Sequence, residues 1–231
     1  MRPKQDVSKG QVVKVDPLRP ESASSREAVN RAVQRIKSGG MIAYPTETFY
    51  GLGVDPLDAA AVERLFTVKG REPGKPIMIV VDEIKRAEGV IGTISPEAWD
   101  LMRRFWPGPL TLLLAASSRL PSAVTGGCGK VGIRVPSHPV ALRLLQSLRQ
   151  PLTATSANRS GEPGATTAQN VYETLGPDLD LIIDGGETPG GNGTTIVDMT
   201  FHPPRLIREG RIPFRDVLAG LGLSLTEDHE W

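Results

Sequence analysis

The sequence alternates between segments of helical periodicity and short apolar runs along most of its length. Apolar residues spaced three and four positions apart predict helices buried on one face at 21–37, 58–69, 95–105, 139–148 and 167–175. Short apolar runs are typical of buried strands and occur at 41–44, 76–81, 110–115, 131–135, 152–155, 181–183, 195–197 and 205–207. Because helices and strands alternate, we expect an α/β domain with a largely parallel or mixed sheet.

The 231 residues suit one large domain, since no internal repeat and no long linker rich in proline, glycine and serine divides them. We predict that residues 21–216 form this domain. Residues 1–20 mix charges without an apolar core and are interpreted as an extended leader, and residues 217–231 as a C-terminal tail. Small residues at 122–129 predict a loop between two strands.

The charge is balanced in total but uneven along the chain. Lys and Arg number 27 against 26 Asp and Glu, which argues against the wide basic surface of a dedicated nucleic-acid binder. Residues 101–161 nevertheless contain no Asp or Glu, whereas residues 160–204 contain no Lys or Arg. This distribution predicts that the middle of the chain meets an anion, either a small phosphate ligand or nucleic acid.

Cysteine and histidine usage indicates the compartment and argues against a metal site. The single Cys128 cannot form an intramolecular disulfide, and the three histidines have no spacing typical of metal ligands. No secretory signal and no run of apolar residues long enough to cross a membrane is present. We therefore expect a cytoplasmic protein with no metal site of its own and no membrane association.

Four polar segments adjoin predicted strands, at 45–53, 153–161, 193–198 and 207–210. Ligands of α/β sheets bind outside the carboxyl ends of strands, so these segments are candidate parts of one site. Turn formation and capping are the alternative explanation for any one of them.

Three cations, Lys69, Arg71 and Lys75, lie within seven residues and predict a phosphate clamp. Gly70 and Gly74 are too close together for a Walker A motif, and Pro76 stands where Ser or Thr would bind magnesium. A solvated basic loop is the alternative for this segment.

An ordered set of short motifs resembles the YrdC family (YrdC/TsaC/Sua) of threonylcarbamoyl-AMP synthases, in its short single-domain form. The motifs run from about residue 26 to residue 216 and comprise Pro45-Thr46-Glu47-Thr48-Phe49-Tyr50-Gly51-Leu52-Gly53, Lys69-x-Arg71 with Lys75-Pro76, Pro107-Gly108-Pro109-Leu110-Thr111, Gly132-Ile133-Arg134-Val135-Pro136, Thr155-Ser156-Ala157-Asn158-x-Ser160-Gly161 and Thr194-Thr195-Ile196-Val197-Asp198.

The resemblance implies a single α/β domain with a twisted mixed sheet, flanking helices and a positively charged cavity. It implies a nucleotidyltransferase that combines L-threonine, bicarbonate and ATP into threonylcarbamoyl-AMP and pyrophosphate. ATP would be a substrate carrying Mg²⁺, with no organic cofactor. The product would supply the machinery that transfers the threonylcarbamoyl group to tRNA, and RNA binding by this chain itself would be weak.

The resemblance also assigns expected site residues. Lys69 and Arg71 fall on catalytic positions, and threonine-binding positions correspond to Thr48, Arg134 and Thr194. The ATP-binding positions correspond to Arg71, Lys75, Lys130, Ser156, Asn158 and Arg208. We expect Arg71, Lys75 and Arg208 to meet the charge of the departing pyrophosphate, and Arg134 to bind the threonine carboxylate.

Two positions depart from the family pattern. Gly164 stands where relatives often have Ser or Thr near the nucleotide, which would remove a side-chain contact. Thr194 replaces the commoner Ser and keeps the hydroxyl.

Other functions remain open for a chain of this pattern. A module that binds double-stranded RNA or tRNA without synthase activity would use the segment that lacks acids. A carbamoyl-transferring domain of hydrogenase maturation and a sugar-phosphate lyase are disfavoured, because the chain lacks the extra cysteines of the first and the acidic metal ligands of the second.

Overall fold

Ten strands form one mixed sheet in the computed structural model, which describes residues 10–72 and 74–224. The strands are β1 (Val12–Lys14), β2 (Ile42–Tyr44), β3 (Gly51–Gly53), β4 (Met78–Val80), β5 (Leu110–Ala115), β6 (Lys130–Arg134), β7 (Leu152–Ser156), β8 (Leu181–Asp184), β9 (Thr195–Asp198) and β10 (Arg205–Arg208). Their order across the sheet is β1-β8-β2-β3-β7-β4-β6-β5-β9-β10. The mixed α/β class predicted from the sequence is confirmed.

Parallel and antiparallel pairs alternate irregularly across the sheet. The parallel pairs are β1 with β8, β8 with β2, β4 with β6, and β5 with β9. Strand β7 is antiparallel to both of its neighbours, β3 and β4. Neighbouring strands therefore present opposite ends at the same edge, which decides how the site is built.

Helices cover both faces of the sheet. They are α1 (Ala23–Lys37), α2 (Ala59–Lys69), α3 (Pro96–Phe105), α4 (Ser122–Thr125), α5 (Pro139–Leu148), α6 (Ala168–Leu175) and α7 (Phe214–Ala219). Helices α1 and α5 share one buried cluster, whereas the apolar sides of α2, α3, α6 and α7 join the other. Along β2, Ile42 and Tyr44 face the first cluster while Ala43 faces the second, as the two-residue period of a strand requires.

Side-chain caps explain where the predicted helices begin. The Ser22 hydroxyl accepts a hydrogen bond from Ser25 N, and the Asp58 carboxylate accepts from Ala60 N and Ala61 N. Each cap satisfies backbone donors that a first helical turn leaves without partners.

The structure adds residues to the sheet and the core from both predicted terminal segments. Strand β1 lies within residues 1–20 and pairs with β8, and Val13 and Val15 are buried in the same cluster as the apolar side of α1. Helix α7 crosses the predicted boundary at 216 and buries Val217 and Leu218. Residues 1–9 and 225–231 of the predicted leader and tail lie outside the described residues.

One prediction of local structure was wrong, and strand β3 was not predicted. The predicted loop at 122–129 begins with the single turn of α4, which the left-handed Gly126 ends. Strand β3 was missed because Gly51-Leu52-Gly53 has no alternating apolar pattern. Its glycines make room for neighbours, since a Cβ on Gly53 would lie 2.8 Å from Leu152 Cδ2 and 2.9 Å from Tyr44 Cε1.

Among the described residues, none of the helices has the length and apolar character that crossing a bilayer requires.

Candidate active site

A cavity of about 320 Å³ opens where several strand ends meet, a volume suited to a small-molecule ligand. Residues at the carboxyl ends of β6, β7 and β10 and at the amino ends of β3, β4 and β9 line it. We expected carboxyl ends alone, but antiparallel neighbours bring both kinds of end together. The polar residues lining the cavity are Thr46, Thr48, Tyr50, Arg71, Arg134, Thr155, Ser156, Asn158, Glu162, Asn192, Thr194 and Arg208.

Thr48 reaches the cavity from the loop between β2 and β3. Thr46 fixes this loop, because its hydroxyl donates to Phe49 O at 2.7 Å and accepts from Thr48 N at 3.2 Å. Gly190 N donates to Thr48 O at 2.7 Å and ties the loop to the glycine-rich segment 190–193. The Thr48 backbone is thus held at both its N–H and its carbonyl, and its hydroxyl lies 3.2 Å from the Thr46 hydroxyl.

Arg134 is the last residue of β6 and borders the cavity while remaining 5% exposed. Its Nη1 donates to Glu47 Oε1. The pKa of Arg134 is lowered to about 10, chiefly by burial and in smaller part by the nearby Arg208 guanidinium. Two cations therefore lie close together beside the cavity.

Arg208 holds the backbone of Thr194. Its Nη2 donates to Thr194 O at 2.9 Å and Nε donates to the same oxygen at 3.2 Å. Burial lowers the pKa of Arg208. The Thr195 hydroxyl accepts from Gly210 N at 2.9 Å and from Ile212 N at 3.1 Å, which fastens the segment after β10 to the start of β9.

Arg71 reaches the cavity just beyond α2. Its Nη2 donates to Pro76 O at 2.8 Å and its Nε to Lys75 O at 3.2 Å. Burial lowers the pKa of this guanidinium. The contacts fold the segment after α2 back toward β4 and keep the guanidinium at the cavity wall.

Lys69 points into the protein rather than into the cavity. It is 2% exposed, and its Nζ donates to Ser156 O at 2.6 Å, to Asn158 O at 2.7 Å and to Asn158 Oδ1 at 3.4 Å. Burial, together with the Arg71 cation, lowers the pKa of Lys69 to about 8. Lys69 therefore ties the end of α2 to the end of β7, where Ser156 and Asn158 line the cavity.

Lys75 and Lys130 are not among the described residues that line the cavity. Lys75 Nζ pairs with Glu72 at 2.8 Å on the surface. Lys130 is the first residue of β6 and Arg134 is the last. The Lys130 Nζ pairs with Asp198 at 2.7 Å. A contact of either lysine with a nucleotide stays a prediction.

Several residues at the site escaped the sequence reasoning. Glu162, Asn192 and Met78 line the cavity, and Glu47 pairs with Arg134 behind it. The glycines at 190, 191 and 193 have positive φ, so the glycine-rich sequence was the available signal for a special loop here.

The space beside Gly164 that a larger residue would need is filled by a neighbouring side chain. A Cβ there would lie 2.7 Å from Phe49 Cδ1, so the phenyl ring takes the space that a Ser or Thr would need. Both residues line the cavity. The glycine at position 164 thus leaves room for the Phe49 ring in the cavity wall.

Within the described residues, no group of three or more His, Cys, Asp or Glu side chains is arranged to hold a metal ion. Three arginines and one glutamate line the cavity, which suits anionic ligands.

Comparison with known proteins identifies close relatives. The family model Sua5_yciO_yrdC, described as "Telomere recombination", matches residues 34–210. A threonylcarbamoyl-AMP synthase of Pyrococcus abyssi is 42% identical over 187 residues, which cover 81% of this chain and 55% of the relative. A threonylcarbamoyl-AMP synthase of Thiobacillus denitrificans is 40% identical over 179 residues, which cover 77% of this chain and 95% of the relative.

A solved structure is similarly close. The structure of P. abyssi Sua5 complexed with L-threonine superposes with a TM-score of 0.86 at 38% identity, covering 92% of this chain and 61% of that one. This chain therefore spans less than two thirds of the length of the P. abyssi relative.

Proposed function

Because the chain belongs to the Sua5/YciO/YrdC family, we propose that it is an L-threonylcarbamoyladenylate synthase. In this reaction, L-threonine, bicarbonate and ATP give threonylcarbamoyl-AMP and pyrophosphate, which makes the protein a nucleotidyltransferase. The P. abyssi relative is named as a threonylcarbamoyl-AMP synthase, and its structure holds L-threonine.

One observation carries the proposal: a single cavity holds arginines from three separate parts of the chain together with threonine hydroxyls. Arg71, Arg134 and Arg208 match the two kinds of anion in this reaction, a carboxylate and a polyphosphate. Thr48 and Thr194 supply the short polar contacts that a small hydroxy amino acid needs.

The bonds formed and broken assign roles to these side chains. The threonine amine attacks bicarbonate to give a carbamate and water, and a carbamate oxygen then attacks the α-phosphorus of ATP. The bond from that phosphorus to the bridging oxygen breaks, and pyrophosphate leaves with the electron pair. Negative charge grows on the leaving group, where Arg71 and Arg208 are proposed to stabilise it.

Arg134 and Lys69 are proposed to orient the reacting groups rather than to stabilise the leaving group. Arg134 binds the threonine carboxylate, which leaves the amine free to react. Lys69 acts through the carbonyls of Ser156 and Asn158 rather than by touching substrate. Mg²⁺ enters as part of the nucleotide substrate and neutralises phosphate charge.

The cavity supports the synthase over an RNA-binding module, since a concave site lined by three arginines, of which Arg134 is buried, suits small ligands rather than a broad duplex surface. The product would pass to the enzymes that transfer the threonylcarbamoyl group to tRNA in the cytoplasm.

The test is pyrophosphate release from ATP, measured with each substrate omitted in turn. We expect release only when threonine and bicarbonate are both present. Arg71→Ala should lower turnover by about tenfold or more, because it removes a group that stabilises developing charge. The matched control is Arg119→Ala, an exposed arginine that does not border the cavity. Release that ignores threonine would contradict the proposal.

A further inference from the structure

Glu47 and Arg134 form the most deeply buried ion pair between described residues. Their side chains are 10% and 5% exposed, whereas every other described pair includes a side chain that is 28% exposed or more. Taking two charges out of water costs several kcal/mol, so such pairs often add little to stability. Stabilisation of the fold is therefore a weak explanation for the presence of this buried pair.

The Glu47 carboxylate is held at both of its oxygens. Arg134 Nη1 donates to Oε1, and Ser137 N donates to Oε2 at 3.2 Å. Glu47 lies in the loop between β2 and β3, Arg134 ends β6, and Ser137 precedes α5. Because a guanidinium is planar, holding one of its nitrogens against a fixed carboxylate restricts the whole group.

Arg134 borders the cavity, whereas Glu47 is not among the described residues that line it. Glu47 therefore lies behind the guanidinium as seen from the cavity. Among the described residues, none accepts a hydrogen bond from Nε or Nη2 of Arg134 in addition to the one that Nη1 donates to Glu47. These donors are left for a ligand.

Charge supports the same arrangement. The Arg208 cation lies close enough to disfavour the charge on Arg134. The Glu47 carboxylate offsets the positive charge of Arg134 from behind, so that the two guanidinium groups can lie side by side at the cavity.

We propose that Glu47 is a positioning residue that holds the free edge of the Arg134 guanidinium toward the α-carboxylate of the amino-acid substrate. The proposal rests on the proposed function. It makes Glu47 a determinant of amino-acid affinity that contributes nothing to nucleotide binding.

Titration calorimetry tests this with the wild type, Glu47→Gln, Glu47→Asp and the control Asp180→Asn. Glu47→Gln keeps the size of the side chain and removes its charge. Glu47→Asp keeps the charge but shortens the side chain by one methylene, which moves the carboxylate away from Arg134. Asp180→Asn removes the charge from a partly buried pair with Arg64, outside the cavity. L-threonine and ATP are titrated separately into each protein.

We expect Glu47→Gln to raise the Kd for L-threonine by about tenfold or more, since a displaced guanidinium loses aligned hydrogen bonds. Glu47→Asp should raise the same Kd by a smaller factor. The Kd for ATP should stay within about twofold in both variants, and Asp180→Asn should leave both constants unchanged. If Glu47→Gln does not fold, Glu47→Asp alone decides.

Three results would overturn the proposal. Wild-type affinity for threonine in Glu47→Asp and in any folded Glu47→Gln would mean that Arg134 needs no positioning. Equal losses for threonine and ATP would indicate a general structural role. A wild-type protein that binds no threonine would remove the proposed function as well, and this outcome is recognised without the variants.

Discussion

Lys69 lets the pH dependence of stability be predicted with its sign. The pKa of this buried ammonium falls from its ordinary value of 10.5 to about 8, first through burial and second through the Arg71 cation. In the unfolded chain neither cause operates, so the pKa returns to 10.5. At about 1.4 kcal/mol for each pKa unit, the difference between the two states corresponds to about 3 kcal/mol.

The sign follows from which state binds more protons. Below pH 8 both states are protonated, and the folded state bears the full cost of the buried charge. Between pH 8 and pH 10.5 the unfolded state keeps a proton that the folded state has released, so stability rises with pH. The stabilising contribution is complete above pH 10.5 and is lost as the pH falls through 8.

Lys69→Met isolates this contribution, because it fills the same space without a titratable group. We expect the free energy of unfolding of the wild type, relative to Lys69→Met, to rise by about 2 to 3 kcal/mol between pH 7 and pH 10. Urea denaturation of both proteins at intervals of half a pH unit measures the difference. Arg71→Met should move the rise to higher pH, since it removes the second cause of the lowered pKa. A difference that stays flat across this range would refute the reasoning.

Three further predictions concern close packing. Gly164→Ala places a Cβ 2.7 Å from the Phe49 ring, so kcat/KM should fall by about tenfold and Phe49→Leu should restore part of it, as steady-state kinetics would show; no rescue would contradict the steric cause. Gly210→Ala places a Cβ 2.4 Å from the Thr194 carbonyl carbon, so it should raise the KM for threonine more than the KM for ATP. Leu65→Ala empties a fully buried position and should cost about 2 to 5 kcal/mol in urea unfolding, and a cost below 1 kcal/mol would mean that the core closes around the gap.

The elements that local chemistry determines were predictable. Helix α3 has a serine cap followed by proline at its first position. Both signals directly precede the apolar pattern of the helix in the sequence, so its start could be predicted. Strand β3 was not predictable, because its glycines are required by close contact with Tyr44 and Leu152. Only the folded sheet brings these side chains beside them.

The same distinction holds for the candidate site. Arg134, Thr194 and Arg208 lie on predicted strands or next to them, and the sheet brings them to one cavity. The inward direction of Lys69 depends on carbonyls 87 and 89 residues away, and the Glu47 contact to Arg134 spans 87 residues. No local pattern encodes such pairings, so charge and residue type alone suggested that Lys69 touches phosphate.

The most direct test of the proposed function is mass spectrometry of the products formed from ATP, L-threonine and carbon-13 bicarbonate. A synthase predicts an adenylate that contains threonine and is one mass unit heavier than the product made with ordinary bicarbonate. Pyrophosphate should accumulate in equal amount. Loss of pyrophosphate from ATP without that labelled adenylate, or no turnover with all three substrates present, would contradict the account.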